Sequence, residues 1–575
     1  MDAPAKEKLS HEEELQRLRH SAAHLTAHAV FELYPDTKLT IGPATAEGFF
    51  YDLLPTKNFK EEDLAIIQQR MHEISARNIP LTHKEISKDK ARALFKDNPF
   101  KLELIDGIPG ETVGLASQGE FHDLCKGGHV AFTGDIKYFK LTGISGSYWR
   151  ADREGTALQR ISGTAFLTAQ EFEENEQRIL NAQLYDHRRL GKQLDYFSFH
   201  DEGPGFPFFH HKGKLIINLL TNYMRSILKK ANYQEIETPF MLSDELWRRS
   251  GHYHFYQDKM YFSCIDEKSF AIKPMNCPGS ILIYKERPRS YRELPLRLNE
   301  FGRVHRHELS GVLHGLFRVR AFTIDDTHIY CTADQIEKEI LTNLTIITTM
   351  MKKFGFENLK IGVSTKPEKA MGDDLLWEKA TNGLISALNA AGLSYTIQEG
   401  EGAFYGPKIE IKMKDSMNRE WQCGTIQIDF FQPENFDLNY IASDGTFKRP
   451  VIIHQAMYGS LERFFGVLLE HYQGHLPFWL SPVQIRLVTV SDEQKPYAKE
   501  LLLFLEKHNL RAEMDTSSDT LSSQIKSAQL AKVPWMLVLG KKEVAENTVT
   551  LRYCDGKQEQ GLTQEQLLAK AQSLL

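Results

Sequence analysis

The segment from Phe301 to Cys331 constrains the fold more strongly than any other part of this 575-residue chain. Within it, Arg318 to Ile324 alternates polar and apolar side chains, which predicts a half-buried strand. The stretch from Glu308 to Gly315 precedes it, contains two glycines and predicts a turn. Two strands joined by this turn would project several arginines into one cleft. Guanidinium groups bind oxygens through planar, paired donors, so the segment predicts a polyphosphate-binding cleft.

A surface hairpin with solvated charges is the alternative that this charge pattern leaves open. Against it, the same strands carry Asp325, Asp326 and His328, which a phosphate clamp alone would not need. An Arg-x-Glu on one strand, a loop and a returning strand resemble motif 2 of the class II aminoacyl-tRNA synthetases. The longer string SGVLHGLFRVRAFTIDDTH is similar to the threonyl-tRNA synthetase family. The resemblance implies that Arg306 holds the α-phosphate of ATP and that Glu308 supports the adenine end.

The length of the chain exceeds what one hydrophobic core usually serves, and about three or four domains are expected. Its composition, 41% hydrophobic and 25% charged, is typical of a soluble globular protein without an apolar run long enough to span a membrane. The N-terminal stretch MDAPAKEKLSHEEEL is mixed and acidic, unlike a secretory or transit peptide. Six scattered cysteines without a CxxC pair indicate reduced thiols and a cytoplasmic location. The net charge of −6 argues against bulk coating of nucleic acid but leaves room for local basic patches.

A Cys/His pattern marks the first predicted domain, residues 1–168. Three histidines recur every four residues in a predicted amphipathic helix from His11 to Leu33, so they share one helical face. They are His20, His24 and His28. Cys125 and His129 follow, four residues apart, and would complete a tetrahedral zinc set with two of the helical histidines. The alternative for each histidine taken singly is an ordinary packing residue.

This pattern is similar to the editing domain that threonyl- and alanyl-tRNA synthetases share. In the alanyl version such residues bind zinc, whereas in the threonyl version they form a hydrolytic site without metal. The resemblance implies an editing pocket lined by His20, His24, Tyr51, Lys101, Asp123, Cys125 and His129. Gly128 stands where the family often has proline, so a looser turn is expected before His129. We expect the family's usual N-terminal ubiquitin-like domain to be missing, since the chain begins almost at the editing helix.

Residues 169–194 are charged and are predicted to form one unbroken helix that connects two domains, although a merely solvated helix fits equally well. Residues 195–478 form the predicted catalytic domain. There, a helix from Gly213 to Lys230 followed by the strand YQEIETPFML resembles motif 1, which builds the dimer interface of class II enzymes. The segment VIIHQAMYGSLERFFGVLLEHYQG resembles motif 3, a strand, a glycine turn and a helix. Its Arg463 would face ATP and stack with Phe322 across the adenine, whereas arginines on amphipathic helices are otherwise usually solvated.

The same resemblance assigns further residues to the reaction site. Two predicted strands, EGAFYGPKIEI and WQCGTIQIDF, carry four of them. The implied catalytic residues are Arg306, Glu308, Arg463 and Lys408. The implied substrate and ATP contacts are Met275, Arg318, Phe322, Asp326, Tyr405, Gln422 and Gln427. Mg²⁺ is expected to accompany the ATP.

Three residues that lie far apart in sequence, Cys277, His328 and His454, would not be paired by spacing alone. Cys277 also stands between an asparagine and a proline, a poor position for a helix or a central strand. The resemblance brings the three together as ligands of one Zn²⁺ ion per subunit, with an open fourth position. Zinc would take the amino group and the hydroxyl of threonine and thereby reject valine, which shape alone rejects only about a hundredfold. Serine keeps the hydroxyl, so such an enzyme needs the second, hydrolytic domain.

Residues 479–575 alternate predicted strands and helices, which favours a small α/β domain. The stretch GKKEVAENTVTLR is predicted to form a β-hairpin. This part resembles the anticodon-binding domain of the threonyl, prolyl, histidyl and glycyl enzymes. Glu543 and Arg552, both placed in the hairpin, match positions that read anticodon bases. Simple exposure is the alternative for both side chains.

The predicted fold class is therefore a multidomain α+β protein. It combines a class II antiparallel-sheet catalytic core, an N-terminal α+β editing domain and a C-terminal α/β anticodon-binding domain. The resemblance implies a homodimer, not associated with membranes, that joins threonine to tRNA(Thr) at the expense of ATP and hydrolyses mischarged seryl-tRNA(Thr). Ile324 stands where the family usually has glutamine, and Gln455 where arginine is common; both would reshape substrate or inhibitor contacts.

Two other function classes stay open at this point. A non-catalytic paralogue that binds tRNA or mRNA would be expected to have lost Arg306, Glu308, Arg463 or the zinc ligands, and all are present. A zinc hydrolase centred on the N-terminal Cys/His set would leave about two-thirds of the chain without a role. The sequence therefore favours the synthetase.

Overall fold

A computed structural model describes residues 9–152, 154–417, 419–517 and 519–575. Residues 1–8, the start of the predicted editing domain, lie outside the described residues. The chain is divided into two compact units, one up to Leu180 and the other from Asn181 to Leu575. Among the described residues, none of the helices combines the length and the apolar character needed to cross a bilayer.

The N-terminal unit packs helices against two small antiparallel sheets. Its first helix starts after Ser10, whose hydroxyl and backbone N–H form a reciprocal capping box with Glu13. The helices are α1 His11–Leu33, α2 Glu61–Ala76, α3 Lys88–Leu94, α4 Pro99–Gly107 and α5 Ala169–Leu184, the last of which continues past Leu180. The strands are β1 Lys38–Leu39, β2 Phe49–Leu54, β3 Leu81–Ser87, β4 Thr112–Gln118, β5 Phe121–Leu124, β6 Tyr138–Tyr148 and β7 Ala157–Phe166. They form the sheets β1-β2-β7-β6 and β3-β4-β5, and α1 has the bounds predicted for the amphipathic helix.

The second unit contains the remaining elements. Its helices are α6 His187–Gln193, α7 His211–Lys230, α8 Asp244–Arg249, α9 His252–Tyr256, α10 Cys277–Lys285, α11 Ile336–Lys353, α12 Asp374–Ala390, α13 Phe431–Asn435, α14 Leu461–His471, α15 Lys495–Lys507, α16 Leu521–Leu530, α17 Lys541–Glu546 and α18 Gln564–Gln572. Its first strands are β8 Phe197–Ser198, β9 Phe208–Phe209, β10 Gln234–Glu235, β11 Met241–Ser243, β12 Tyr261–Ile265, β13 Lys268–Ile272, β14 Arg289–Ser290, β15 Leu296–His305, β16 Ala321–Cys331, β17 Leu359–Ser364 and β18 Thr396–Gln398. The others are β19 Lys408–Lys414, β20 Glu420–Asp429, β21 Tyr440–Ile441, β22 Phe447–Lys448, β23 Val451–Ala456, β24 Ile485–Thr489, β25 Ala512–Met514, β26 Trp535–Leu539, β27 Val549–Tyr553 and β28 Gln558–Leu562.

An eight-stranded sheet in the order β10-β15-β16-β23-β20-β19-β17-β18 organises this unit. Its six inner strands pair antiparallel, and only the two edge pairs are parallel. Apolar side chains of α7, α11, α12 and α14 form one core with the strand residues Ile329, Ile426 and Ile453. Because side chains alternate along a strand, the neighbours of these isoleucines project from the opposite face of the sheet. That second face carries the candidate site.

A five-stranded sheet in the order β25-β24-β26-β27-β28 forms the C-terminal part. Its first three strands are parallel, and β27 and β28 add to it antiparallel. The predicted fold class, with an antiparallel catalytic sheet and a smaller C-terminal α/β part, is confirmed.

Several predicted elements were wrong in detail. The helix predicted over 169–194 is interrupted after Leu184, because Asp186 caps a new helix by accepting the N–H of Arg188 at 2.7 Å. The strand predicted for YQEIETPFML is only the two-residue β10 and the separate β11. The predicted hairpin GKKEVAENTVTLR begins as the helix α17, so Glu543 lies on a helix and only Arg552 on the β27–β28 hairpin.

Three further corrections concern the reaction site. The strand predicted from Arg318 begins only at Ala321, because the N–H of Arg320 donates to Gly205 at 2.7 Å and not to the neighbouring strand. Cys277, placed by sequence in a poor helix position, is the first residue of α10. The proline after it falls in the first helical turn, where its missing N–H costs no hydrogen bond. Tyr405 lies in a turn before β19 and not on the strand.

Candidate functional site

The centre of the site is the hairpin of β15 and β16, which pair antiparallel from Leu296 opposite Tyr330 to His305 opposite Ala321. The loop between the strands is closed at its base by a 2.9 Å hydrogen bond from the N–H of Arg306 to Arg320. A cavity of about 370 Å³ lies beside this loop. Six of the predicted residues line it: Arg306, Glu308, Arg318, Phe322, Gln422 and Arg463. Ile324, the departure from the family pattern, lines it as well.

Arg306 is fixed at the cavity wall from two sides. Its Nε donates to the carbonyl of Pro274 at 3.1 Å, and its guanidinium lies 5.1 Å from the ring centre of Phe322 and 5.4 Å from that of Tyr256. Cation–π contacts of this kind hold the planar group in one orientation. The contact with Phe322 therefore comes from Arg306, and the predicted stacking of Arg463 and Phe322 around adenine stays a prediction.

Arg463 lies in the first turn of α14, and its Nε donates to the carbonyl of Phe317 at 3.0 Å. Its pKa is lowered first by burial and then by the positive charges of Arg318 and Arg306. Arg318 is itself paired with Glu308, whose Oε2 accepts from its Nη2 at 2.9 Å. The cavity thus concentrates guanidinium groups in excess of carboxylates, which favours a polyanionic ligand.

A second feature of the same sheet face is a buried Cys/His cluster. Cys277 at the start of α10, His328 on β16 and His454 on β23 place one ligand atom each within 4.8 Å of the others. The two histidines are directly opposite each other in the β16–β23 register. Long-range strand pairing, and not sequence spacing, therefore creates this cluster.

Three ring nitrogens of this cluster have no hydrogen-bond partner among the described residues. Both ring nitrogens of His328 and Nδ1 of His454 are buried without a hydrogen bond from any described residue. Burial lowers the pKa of His328 to about 4 and raises the pKa of the Cys277 thiol. A buried, unsatisfied polar atom costs about 1–3 kcal/mol. A thiol and two neutral imidazoles with free lone pairs are a set that suits zinc.

Asp429 fixes the tautomer of His454. Its Oδ1 accepts the backbone N–H groups of Phe431 and Gln432 at 2.8 and 2.9 Å, and its Oδ2 lies 2.9 Å from Nε2 of His454. A carboxylate only accepts, so Nε2 carries the proton and Nδ1 presents its lone pair to the cluster. This is how proteins orient histidine ligands of metals.

Four predicted substrate residues surround this cluster. The Tyr405 ring centre lies 5.1 Å from that of His454, and Oδ1 of Asp326 lies 3.7 Å from Nε2 of His328. Gln427 is opposite His454 on β20, and Met275 comes two residues before Cys277. Cavity and cluster are therefore adjacent parts of one site, joined by β16.

Lys408 is the predicted catalytic residue that the structure does not bring to the cavity. Its ammonium group pairs with Glu410 on the same strand, and it is absent from the described residues that line the cavity. Gln455, the second departure from the family pattern, is buried, and its side-chain oxygen accepts the hydroxyl of Tyr233 at 3.4 Å.

His252 was missed by the sequence reasoning. It is fully buried, its Nε2 lies 3.0 Å from the sulfur of Met275, and its Nδ1 lies 2.7 Å from the hydroxyl of Ser250. Burial lowers its pKa to about 3. It belongs to no Cys/His spacing pattern, and no local signal distinguishes it from a packing histidine.

The N-terminal unit contains a separate cluster formed by His20, His24, Cys125 and His129. The sulfur of Cys125 lies 3.1 Å from Nε2 of His129 and 3.5 Å from Nε2 of His20. Nε2 of His24 is 3.2 Å from that of His20. Burial opposes ionisation of the thiol, but the hydrogen bonds from the three histidines outweigh it and lower the pKa of Cys125 to about 3.

The buried carboxylate of Asp123 connects this cluster to two further residues. Asp123 accepts the hydroxyl of Tyr51 at 2.6 Å, pairs with Lys101 and lies 3.0 Å from Nδ1 of His24. Burial opposes the charge on His24, but its bonds with Asp123 and Cys125 outweigh that cost and raise the pKa of His24 to about 9. All seven predicted editing residues are therefore connected: His20, His24, Tyr51, Lys101, Asp123, Cys125 and His129.

The turn between Cys125 and His129 depends on glycine. Gly127 and Gly128 have φ values of +94° and +85°. Proline is restricted to φ near −65°, so the proline that the family often has at position 128 would not fit this backbone. The N–H of Gly127 lies 3.3 Å from the sulfur of Cys125 and adds a donor to the thiolate.

The two predicted anticodon residues have different surroundings. Glu543 caps its own helix, since its carboxylate accepts the N–H of Gly540 at 2.9 Å and the hydroxyl of Thr550 at 2.8 Å. Arg552 is the next-to-last residue of β27 and is half-buried, and its Nε has no hydrogen-bond partner among the described residues. Arg552 is therefore the freer of the two to bind a ligand.

Three family models match the chain. Residues 261–472 match the tRNA synthetase class II core domain (G, H, P, S and T), and residues 484–574 match the anticodon binding domain. Residues 113–162, which include Cys125 and His129, match the threonyl and alanyl tRNA synthetase second additional domain.

Close relatives are similar over nearly the whole chain. The threonine–tRNA ligase of Clostridium tetani is 50% identical over 94% of this chain and 85% of its own length. That of Clostridium acetobutylicum is 49% identical over 93% of this chain and 84% of its own length. A crystal structure described as the RNA binding domain of threonyl-tRNA synthetase from Cryptosporidium parvum is 40% identical, with a TM-score of 0.66, and covers 68% of this chain and 98% of that one.

Proposed function

We propose, because the chain belongs to the threonine–tRNA ligase family, that it activates threonine with Mg²⁺-ATP and transfers it to tRNA(Thr). The observation that carries this proposal is the position of the arginine-lined cavity beside the buried Cys/His cluster. The same strand, β16, contributes Phe322 to the cavity and His328 to the cluster. A triphosphate and a small amino acid would thereby be held next to each other.

The arginines supply the electrostatic part of the activation step. The threonine carboxylate attacks the α-phosphorus of ATP, threonyl-adenylate forms and pyrophosphate leaves. Arg306 and Arg463, both anchored through Nε to backbone carbonyls, would neutralise the charge that develops on the phosphate oxygens. Positioning and charge compensation account for this step without covalent chemistry by the protein.

Cys277, His328 and His454 would hold a zinc ion. The unpartnered, buried nitrogens and the single thiol fit this ion, and Asp429 already directs one lone pair inward. Bound there, zinc would supply a Lewis-acidic position for the amino group and hydroxyl of threonine. Tyr405, Asp326 and Gln427 would line the rest of the amino-acid pocket.

The N-terminal cluster would hydrolyse seryl-tRNA(Thr). Its histidines and the Cys125 thiolate are linked by hydrogen bonds, and such a network would position a water against the ester and move a proton. Lys101 and Asp123 would set the charge of His24. Threonine carries one methyl more than serine, and this methyl would clash in the pocket or displace the water.

Further parts of the chain would serve the partners. We assign the tRNA anticodon to the C-terminal sheet, with Arg552 and Glu543 as contacts. A homodimer would form through the motif 1 elements α7 and β10, and the enzyme would act in the cytoplasm.

ATP–pyrophosphate exchange with each amino acid in turn tests the proposal. Exchange should depend on threonine, and the Arg306→Ala variant should lose it by about a thousandfold, since one oxyanion-stabilising donor is typically worth 10²–10³. Circular dichroism would verify that this variant is folded. Exchange driven by another amino acid, or by none, would end the proposal.

A further inference from the structure

We propose that His187 is a positioning residue that holds the ATP-binding loop, residues 306–320, in its working conformation. The inference rests on the proposed function, because it assigns the loop to ATP. His187 is the first residue of α6 and is fully buried. Neither the sequence pattern nor the resemblance singled it out.

The hydrogen bonds of His187 leave no choice of tautomer. Its Nε2 lies 2.9 Å from the backbone N–H of Leu316, and a backbone N–H only donates, so Nε2 must be the accepting nitrogen. Nδ1 lies 2.6 Å from Oε1 of Glu470 and therefore carries the proton. The backbone N–H of His187 donates to the same oxygen at 2.8 Å. Both ring nitrogens are in use, so the nearby Asp186, His187 and Glu470 do not form a free metal site.

Glu470 connects His187 to the helix that carries Arg463. It lies on α14, is nearly fully buried, and its other carboxylate oxygen accepts from Arg419. A carboxylate held on both oxygens is a rigid anchor. His187 is therefore fastened to α14 before it reaches the loop.

The loop side of the contact leads directly to the cavity. The ring of Phe317 packs on that of His187 with a centre distance of 4.0 Å, and the carbonyl of Phe317 accepts from Nε of Arg463. The next residue, Arg318, lines the cavity. The imidazole of His187 thus fixes the backbone next to two guanidinium groups that would bind ATP. These are Arg463, which donates to Phe317, and Arg318, which follows Phe317 in sequence.

Gly315 shows how closely the two segments approach. Its φ is +47°, and a Cβ there would lie 2.2 Å from Nε2 of His187. Any larger residue would push the loop away from the imidazole. The loop sequence is therefore adapted to this contact.

A matched pair of variants tests the inference. In His187→Asn, the amide nitrogen of asparagine takes the position of Nδ1 and keeps the hydrogen bond to Glu470. The N–H of Leu316 loses its acceptor. In His187→Gln, the longer amide reaches the position of Nε2 and can accept from Leu316. We expect the KM for ATP in threonine-dependent exchange to rise about tenfold in the first variant and less than about threefold in the second, as one buried hydrogen bond predicts.

The choice of KM separates positioning from folding. A misfolded fraction lowers the concentration of active enzyme and hence the apparent kcat, but it leaves the KM for ATP unchanged. The KM for threonine should also stay within about twofold, because the amino-acid pocket does not contain this loop. His508→Asn, the same substitution in α15's C-terminal cap, serves as the control and should change neither constant.

Dissociation constants for a non-hydrolysable ATP analogue, measured by calorimetry, distinguish failure of this inference from failure of the proposed function. Weaker binding in His187→Asn with near-normal binding in His187→Gln supports the inference, even if exchange depends on an amino acid other than threonine. Equal affinity in both variants and the native protein overturns it. Equal weakening in both variants also overturns it, since the bond to Leu316 would then not be the cause.

Discussion

The cluster of Cys277, His328 and His454 and the cluster of His20, His24, Cys125 and His129 contain the same kinds of side chain in opposite surroundings. In the first, buried nitrogens have no hydrogen-bond partner among the described residues, and burial is the main cause of the raised pKa of the Cys277 thiol. In the second, the side chains bond to one another, and their hydrogen bonds outweigh burial.

Residue type alone therefore does not decide the chemistry of such a cluster. Asp123 and Lys101 place charges behind the N-terminal histidines, so protons are redistributed there and a thiolate and an imidazolium coexist. The cluster of Cys277, His328 and His454 keeps neutral donors with free lone pairs, which a metal ion would satisfy. We therefore assign metal binding to one cluster and proton transfer to the other.

The largest effect should come from Cys277→Ser, which removes the thiol from the cluster of Cys277, His328 and His454. Threonine-dependent exchange is expected to fall about a thousandfold, because loss of a ligand should exceed the 10–100-fold cost of losing a supporting contact. Hydrolysis of pre-charged seryl-tRNA(Thr) should stay unchanged in the same preparation. A parallel loss of both activities would break the assignment.

The reciprocal variant alters the N-terminal cluster. Replacement of His20 and His24 by alanine should slow seryl-tRNA(Thr) hydrolysis about a hundredfold, the lower range for loss of acid–base groups. Threonine-dependent exchange serves as the internal control and should not change. If deacylation continued at the native rate, the histidines would be packing residues only.

A smaller effect is expected from Asp429→Asn, which keeps Oδ1 for the helix cap but weakens the orientation of His454. Zinc affinity, measured by competition with a chelator, should fall about tenfold or more, in line with losses of supporting carboxylates. Asp123→Asn, the matching change behind the other cluster, should leave zinc affinity unchanged. The reverse order of effects would place the metal in the N-terminal unit.

The smallest effect concerns pH: the rate at which Cys125 is alkylated should be nearly independent of it. Because the pKa of Cys125 is lowered to about 3, its thiolate persists from pH 8 down to about pH 5, and alkylation of Cys125 should change by less than about twofold over that range. The rate should fall only as the pH approaches the lowered pKa and the thiolate takes up a proton. In zinc-free protein, Cys277 should stay unmodified throughout. Peptide mapping after iodoacetamide treatment measures both, and a tenfold change per pH unit at Cys125 would contradict the account.

Local elements were largely predictable from sequence, because their signals lie within one segment. The amphipathic pattern predicted α1 from His11 to Leu33, and the glycine turn before Arg463 separated β23 from α14. The break at Asp186 was not predicted, since a capping aspartate inside a charged helix resembles any other charge. The helix α17 was mistaken for a hairpin because its six residues are too few for helical periodicity.

The site itself could not be predicted from spacing. The register that sets His328 opposite His454 depends on pairing between strands more than a hundred residues apart, and only the family resemblance brought Cys277 to them. His252 and His187 lie in no motif, and their burial and hydrogen bonds exist only in the folded chain. The individual site assignments stay predictions that the variants above would test.

The zinc content of two cysteine variants distinguishes the two clusters. Cys277→Ser and Cys125→Ser remove one thiol from each cluster, and both proteins would be purified with the native chain and analysed by inductively coupled plasma mass spectrometry. We expect one zinc per chain in the native protein and in Cys125→Ser, and none in Cys277→Ser. Zinc retained in Cys277→Ser, or lost in Cys125→Ser, would contradict it.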